Sequence, residues 1–171
     1  SIFNDEKVLY FYQEEANRNV SVNLNIEIDK AFKNLSLKPK DLSAIVVTRG
    51  PGSFTGVRIG LSAAKVLAMI LKIDLYSVSS SDYYSGNTLL PVILDARSKK
   101  VFFGKYTDGI LNEEIIAIED LEQLTEVKGE GSLINLEDDF NNLDNNFLLI
   151  KDKWKKESVF DAVPTYLKRN I

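Results

Sequence analysis

Residues 48–60 read Thr-Arg-Gly-Pro-Gly-Ser-Phe-Thr-Gly-Val-Arg-Ile-Gly. A short apolar run at 44–47 precedes this stretch and is typical of a buried strand, whereas the apolar spacing after the stretch is helical. The pattern predicts a strand, a glycine-rich turn and a helix. Three glycines and a proline in the turn indicate backbone conformations that other residues rarely adopt. The turn, called the glycine loop below, consists of Gly50, Pro51, Gly52, Ser53, Phe54, Thr55 and Gly56.

A glycine loop at the start of a helix is one way of binding phosphate. The spacing here matches neither common nucleotide template. The Walker form ends in Gly-Lys-Ser or Gly-Lys-Thr, whereas this loop continues through Thr55 and Gly56 to Arg58. The dinucleotide form needs a glycine where Thr55 stands. Direct nucleotide binding by the loop is therefore an alternative interpretation and not the main one.

The composition limits the chemistry of the chain. Its 171 residues are 44% hydrophobic, which is enough for one ordinary domain or two small lobes. It contains no cysteine and no histidine, which excludes thiolate metal sites, cysteine nucleophiles, Ser-His-Asp triads and histidine metal ligands. The formal net charge of -4 does not provide the positive field that accompanies direct nucleic-acid binding. Any catalysis would fall to carboxylates, lysines or a metal held by oxygen ligands, and the sequence shows no clustered set of these. We therefore expect no catalytic residue and no metal ligand in this chain.

The sequence also predicts where the protein resides. We find no run that is long and apolar enough to span a bilayer, and no charged-then-apolar leader. The expectation is a cytoplasmic protein without membrane contact. The chain begins at Ser1 without a methionine, which indicates that its natural start is missing.

Hydrophobic patterning predicts two lobes of alternating strands and helices. The boundary is placed at the polar residues near 85, so that residues 1–85 form the N-terminal lobe and residues 86–171 the C-terminal lobe. In the first lobe we predict a hairpin at 2–3 and 8–12, helices at 21–35 and after the glycine loop, strands at 44–47 and 73–78, and a polar loop at 79–82. In the second lobe we predict strands at 90–94, 101–106, 110–116 and 147–150, and a short helix at 119–126.

Two features of the predicted helices bear on partners. Gly60, Ala64 and Ala68 recur every four residues and form a stripe of small side chains that permits close approach by another element. By itself this small-residue stripe favours core packing over an interface. On the earlier helix, Val22 and Ile26 lie nearly opposite the sheet-facing side, where they are either isolated surface residues or part of a partner contact. Further apolar residues, most of them larger, flank the stripe: Ile59, Ala63, Val66, Leu67 and Ile70.

The glycine loop and its continuation closely resemble the Gly-Pro-Gly-Ser-Phe-Thr-Gly-x-Arg-x-Gly signature of the bacterial TsaB (YeaZ) family. Two further motifs match this family: Asp95-Ala96-Arg97 after an apolar strand, and the closing Pro164-x-Tyr166-Leu167, which lysine follows where arginine is usual. The resemblance implies an α/β fold of the actin-like (ASKHA, ribonuclease H-like) type. In that fold two duplicated lobes contain mixed sheets flanked by helices. The family's first strand, which ends in an Asp-Thr-Ser-like sequence, is missing here.

The resemblance also implies a function. Proteins of this family are needed to make N6-threonylcarbamoyladenosine (t6A) in tRNA. By resemblance this chain is a non-catalytic scaffold that binds and supports a larger TsaD-like catalytic subunit, with a TsaE-like ATPase joining the assembly. ATP or ADP and metal are expected in those partners, and no cofactor is expected in this chain. The chain is expected to contact tRNA only through the complex. It can also form a homodimer. The implied partner-binding residues are Val22, Ile26, Arg58, Gly60, Ala64 and Ala68.

Four alternatives come from individual motifs. Asp95 either binds Mg²⁺ near a phosphate or fixes a hairpin turn with Arg97, and the turn is favoured because no second carboxylate accompanies the motif.

The lysine-rich residues 151–156, which include Trp154, either stack on RNA or form a surface loop. A peptidase role for Ser53 would require Lys65 as base, three helical turns along, and is not favoured. The remaining alternative is a small ASKHA-type phosphotransferase that uses the glycine loop.

Overall fold

The computed structural model describes residues 1–14 and 20–167. It contains nine strands and four α-helices in this part of the chain. The strands are β1 (Ile2–Phe3), β2 (Val8–Tyr10), β3 (Ala44–Thr48), β4 (Asp74–Val78), β5 (Val92–Arg97), β6 (Lys100–Thr107), β7 (Ile110–Ala117), β8 (Lys128–Gly129) and β9 (Lys155–Glu157). The helices are α1 (Val20–Leu35), α2 (Phe54–Leu71), α3 (Ser80–Ser85) and α4 (Asn146–Leu149). Short 3-10 turns lie at Pro39–Asp41, Ile118–Asp120, Gly131–Ile134 and Lys151–Lys153.

The glycine loop joins a parallel pair of strands through a helix. β3 and β4 pair in parallel, with Ala44 opposite Asp74 and Thr48 opposite Val78. Parallel neighbours need a crossover, and α2 provides it. Leu61 on α2 packs with Leu75 on β4 in a buried cluster. The predicted order of strand, glycine-rich turn and helix is therefore confirmed.

The hairpin at the start of the chain forms a sheet of its own. β1 and β2 pair antiparallel, as predicted, although β2 ends at Tyr10 instead of residue 12. In the part of the chain that the structure describes, the hairpin is not hydrogen-bonded to β3. Consequently β3 has β4 on one side and no strand on its other edge within that part.

The second lobe is built on a four-stranded sheet in the order β7-β6-β5-β8. The pairs β5–β6 and β6–β7 are antiparallel, and β8 joins β5 in parallel. Ile93, Val101 and Phe103 from this sheet form a buried cluster with Val127. Sheets of mixed direction flanked by helices confirm the α/β fold class.

The last part of the chain returns to the first lobe. β9 pairs antiparallel with β4, with Tyr76 opposite Lys156. Residues 158–167, called the C-terminal segment below, then pass beside α2, where Ala162 is buried with Leu61 and Ala68. The predicted boundary after residue 85 therefore needs correction, because residues 155–167 belong with the first lobe and not with the second.

Three local predictions are wrong. Residues 79–82 open α3 instead of forming a loop, because the side chain of Ser79 accepts a hydrogen bond from the N–H of Ser81 and caps a helix. The helix predicted at 119–126 is a 3-10 turn followed by extended chain. Its apolar residues, such as Leu121 and Leu124, instead pack on the second core.

The predicted strand at 147–150 is also wrong, because α4 occupies most of it. A short apolar run has the same periodicity in a buried helix as in a buried strand. Tertiary contacts decide the outcome: the Asn146 side chain is buried and donates a hydrogen bond of 2.6 Å to the carbonyl oxygen of Tyr83. This bond anchors α4 beside α3.

α2 contradicts the prediction that no run is long and apolar enough to span a bilayer. It has 18 residues and a mean hydropathy of 1.6, so by length and composition it is able to cross a bilayer. One such helix is weak evidence, since a core helix passes the same test. In this structure one side of α2 lies against the sheet, with Leu61, Ala64 and Ala68 buried.

Candidate functional site

The glycine loop is in contact with the C-terminal segment. Gly50 has φ +98°, in the left-handed region, and a Cβ at this position would lie 3.2 Å from the carbonyl oxygen of Thr165. The N–H of Thr165 donates a hydrogen bond of 2.7 Å to the carbonyl oxygen of Arg49, and the N–H of Ser80 donates one of 2.9 Å to that of Gly50. The close approach that glycine permits at this position is therefore made by the protein's own chain.

Ser53 has a structural role at the end of the loop. It is the N-cap of α2, and its Oγ accepts a hydrogen bond of 3.3 Å from the N–H of Gly56. The Nζ of Lys65 donates to the carbonyl oxygens of Ala162 at 2.8 Å and Phe160 at 3.4 Å. Lys65 therefore holds the C-terminal segment, and the geometry gives no support to a Ser-Lys catalytic pair.

The small-residue stripe of α2 faces the interior. Ala64 and Ala68 are 6% and 1% exposed and belong to the cluster that packs on β4. A Cβ on Gly60 would lie 4.0 Å from Val47 on β3. The predicted placement of this stripe on a partner surface is therefore wrong, because small side chains are what let the helix lie close to its own sheet.

The opposite face of α2 carries the larger apolar residues and borders an open groove of about 510 Å³ between α1 and α2. Beside this helix groove, Val66, Met69 and Ile70 are exposed, Ile70 at 66%. Exposed apolar residues that are contiguous mark interaction surfaces more often than isolated ones do. The residues that line the helix groove are Ser21, Leu24, Asn25, Arg58, Ile59, Ser62, Ala63, Val66 and Leu67.

Val22 and Ile26 on α1 are exposed at 59% and 46%. They do not line the helix groove, and they lie away from Ala31, the buried residue of α1. Their position agrees with the predicted orientation of the helix. A partner contact through them remains a prediction.

Arg58 is held in a fixed position at the wall of the helix groove. Its guanidinium carbon lies 3.7 Å from the centre of the Phe54 ring and 5.6 Å from the centre of the Tyr166 ring. Its Nε donates a hydrogen bond of 2.8 Å to the Tyr166 hydroxyl oxygen. The sequence motifs contain all three residues, but only the fold brings the closing motif to the glycine loop.

Phe54 and Tyr166 also line a second cavity, which the sequence did not reveal. This interlobe cleft of about 220 Å³ lies between the glycine loop, the second sheet and the C-terminal segment. The described residues of its lining are mainly apolar, with one cation among them from Lys100. The lining residues are Gly52, Phe54, Val57, Ala96, Lys100, Phe102, Ile115, Pro164, Thr165, Tyr166 and Leu167.

The Asp95-Ala96-Arg97 motif forms the end of β5 and leads into the turn at Ser98 and Lys99, which joins β5 to β6. The Oδ1 of Asp95 accepts a hydrogen bond of 2.7 Å from the N–H of Arg97, and Asp95 Oδ2 lies 2.9 Å from Nη1 of the same arginine. Arg97 has φ +67° and an exposed side chain. These contacts agree with the interpretation that Asp95 and Arg97 fix the hairpin turn. Among the described residues, no group of three or more Asp and Glu side chains is placed to hold a metal ion.

Trp154 is part of an internal aromatic cluster. Its ring centre lies 5.9 Å from that of Phe3 and 5.6 Å from that of Tyr76, and its Nε1 donates a hydrogen bond to the carbonyl oxygen of Phe147. Three neighbouring lysines form ion pairs: Lys151 with Asp5, Lys153 with Asp82 and Lys156 with Asp74. This arrangement is unsuited to stacking on RNA, so the RNA alternative for residues 151–156 loses its basis.

A polar cluster joins α3, β6 and the turn before β9. The Nζ of Lys153 lies 2.9 Å from Asp82 Oδ1 and 2.6 Å from the Tyr106 hydroxyl oxygen, and that hydroxyl donates to Asp82. Burial raises the pKa of Tyr106, and the hydrogen bond to Asp82 raises it further. Tyr106 therefore stays protonated at neutral pH and acts as a hydrogen-bond donor between the lobes.

This chain resembles known proteins in sequence. The family model described as TsaD, tRNA N6-adenosine threonylcarbamoyltransferase, matches residues 11–156. The chain is 34% identical over 122 residues to the tRNA threonylcarbamoyladenosine biosynthesis protein TsaB of Bacillus subtilis, a match that covers 67% of this chain and 53% of that protein. It is 27% identical over 159 residues to the TsaB of Buchnera aphidicola subsp. Schizaphis graminum, covering 88% of this chain and 71% of that protein. The chain thus spans about half the length of the Bacillus relative.

Solved structures agree with the fold. YeaZ from Pseudomonas aeruginosa superposes with a TM-score of 0.69 at 18% identity, covering 90% of this chain and 87% of that one. A second Pseudomonas aeruginosa structure, described as an uncharacterized protein with similarity to peptidase YEAZ, has the same TM-score at 19% identity and covers 86% of this chain and 83% of that one. At these identities the likeness shows the fold alone.

Proposed function

The chain belongs to the family that the TsaD model describes, with TsaB proteins among its relatives, and on that premise we propose that it is a TsaB-type subunit in t6A synthesis in tRNA. In this proposal it is a scaffold that binds a TsaD-like catalytic subunit and does not transfer the threonylcarbamoyl group itself. The names of its relatives support the pathway. The helix groove supports the scaffold role.

The main support for the proposal is that the outward face of α2 is apolar and exposed. Val66, Met69 and Ile70 are all exposed on a helix whose other face is already buried in the core. Because these side chains are already partly buried, covering the remainder of each contributes roughly 1–1.5 kcal/mol to association before the costs of binding. A helix with two apolar faces gains most when a partner element packs on the second face.

The residue types available support a role without catalysis. With no histidine and no cysteine in the sequence, acid–base chemistry near neutral pH would fall to perturbed carboxylates, lysines or tyrosines. The described Tyr106 has a raised pKa and is hydrogen-bonded within the polar cluster, so it cannot act as a base near neutral pH. The catalytic chemistry, with its nucleotide and metal, is assigned to the partners.

The other partners follow from the same proposal. A TsaE-like ATPase joins the assembly, tRNA is reached through the complex, and the site of action is the cytoplasm. A homodimer would use the same face of α1 and α2, so it competes with the mixed complex.

The test is co-purification of this chain with the TsaD-like protein of its organism, with mass measured by light scattering. A stable mixed complex is the expected result. Ile70→Lys should disrupt that complex, because it places a charge on the outward face of α2. Ile110→Lys is the matched control, since Ile110 is 67% exposed and Ile70 66%, but it lies at the start of β7 in the other lobe.

Two results would contradict the scaffold role. One is a chain that stays alone in the presence of the TsaD-like protein, and the other is an equal loss of complex in both lysine variants. Magnesium-dependent ATP binding by the isolated chain would instead support the phosphotransferase alternative.

A further inference from the structure

We propose that Arg58 recognises a carboxylate on the partner that docks in the helix groove. This inference rests on the proposed function, and it specifies the chemistry of the docking surface: an apolar helix face that carries an aspartate or glutamate. Among the described residues that line the groove, Arg58 is the one that carries a charge.

The guanidinium of Arg58 is preorganised. It stacks on Phe54 at 3.7 Å, and its Nε is engaged by the Tyr166 hydroxyl at 2.8 Å. Within residues 1–14 and 20–167, its two terminal nitrogens have no hydrogen-bond partner. A planar donor that is already fixed loses little conformational freedom when it binds a carboxylate with both terminal nitrogens.

Among the residues that the structure describes, Arg58 has no counter-charge of its own. Among the three arginines in the described part of the chain, Arg49 lies 3.6 Å from Glu157 and Arg97 lies 2.9 Å from Asp95. Arg58 has no described carboxylate within 4.0 Å. A partner that covers the groove contacts Arg58, which lines it. Removing a cation from water is costly unless the partner supplies the opposite charge.

The groove lining argues against a second copy as the occupant. None of the described residues that line it is acidic, so two grooves packed face to face would bring two Arg58 cations together with no carboxylate from these residues. The acidic residues of the middle of α1 are already paired, Glu27 with Lys30 at 2.6 Å and Asp29 with Lys33 at 2.5 Å. Charge complementarity therefore favours a different protein with its own carboxylate.

The experiment titrates the full chain with the TsaD-like subunit by calorimetry, at about 50 mM and about 500 mM salt. Arg58→Gln should weaken binding about tenfold or more at low salt and should flatten the salt dependence. Arg97→Gln is the matched control, because it removes an exposed arginine from the β5–β6 turn, and it should change affinity less than about twofold. Arg58→Lys should lose less affinity than Arg58→Gln and keep the salt dependence.

The outcomes separate this inference from the proposed function. If the wild-type chain binds but Arg58→Gln behaves like Arg97→Gln, the carboxylate contact is wrong and the scaffold role stands. If Arg58→Lys and Arg58→Gln lose equal affinity at both salt concentrations, stacking and not charge is responsible, which also overturns the inference. If the wild-type chain does not bind the TsaD-like subunit, both proposals fail. Loss of self-association in Arg58→Gln would identify a second copy as the occupant and overturn the inference.

Discussion

The N–H of Thr165 donates a hydrogen bond of 2.7 Å to the carbonyl oxygen of Arg49, which ties the C-terminal segment to the chain between β3 and the glycine loop. The same segment supplies Tyr166 to the wall of the interlobe cleft and to the Arg58 contact. The glycine loop, the helix groove and the end of the chain are therefore one connected structure.

Gly50→Ala should loosen this connection. The new methyl group would meet the carbonyl oxygen of Thr165 at 3.2 Å, in addition to the strain of φ +98°. We expect a loss of about 1–2 kcal/mol in the free energy of unfolding, measured by urea denaturation. Gly109→Ala provides the control, because Gly109 has φ +77° but no atom within 4 Å of its Cβ position. Equal losses in both variants would mean that strain alone acts and that contact with Thr165 is unimportant.

The assignment of the two faces of α2 can be tested with two alanines. Ala68 is 1% exposed in the core, whereas Ala63 lies on the groove wall. Ala68→Leu should lower the free energy of unfolding by about 1–3 kcal/mol, because it overfills the contact with the sheet. Ala63→Leu should leave the stability within about 0.5 kcal/mol. A destabilising Ala63→Leu together with a neutral Ala68→Leu would reverse the assignment of the faces.

The ion pair between Lys128 and Asp139 should give a pH dependence. The two charges lie 2.7 Å apart, and Lys128 is buried. Burial on its own raises the pKa of Asp139, but the hydrogen bond from Lys128 and that from the Asn141 backbone outweigh it and hold the pKa below its ordinary value. Because the folded-state pKa is depressed, the stabilisation is present above the unfolded pKa of about 3.9 and is lost as the pH falls through the folded value.

Asp139→Asn should therefore cost about 1–3 kcal/mol in the free energy of unfolding at pH 7, since it leaves Lys128 without its counter-charge. The difference between wild type and variant should shrink as the pH falls below about 4, where the wild-type carboxyl also becomes neutral. Urea denaturation at several pH values measures this. A difference in the free energy of unfolding that is constant from neutral to acidic pH would show that the pair stabilises the fold through packing and not through charge.

Local sequence patterns were sufficient to predict much of the fold. The β-branched run of β3, the glycines after it and the helical spacing of α2 are local signals, and each predicted the element that the structure contains. The hydrogen bond between the Asp95 side chain and the Arg97 N–H also joins near neighbours in sequence. The helix predicted at 119–126 and the strand predicted at 147–150 failed because packing with distant residues decides both segments.

The sequence by itself determined the α/β order, the glycine loop and the family, because these depend on residue types at fixed spacing. It favoured core packing for the small-residue stripe but did not decide which face of α2 is buried, since both faces are apolar. Only the tertiary structure placed the small-residue stripe on the sheet and the larger residues in the helix groove. Only the return of the C-terminal segment brought Tyr166 to Arg58, because a contact across 108 residues depends on the path of the whole chain.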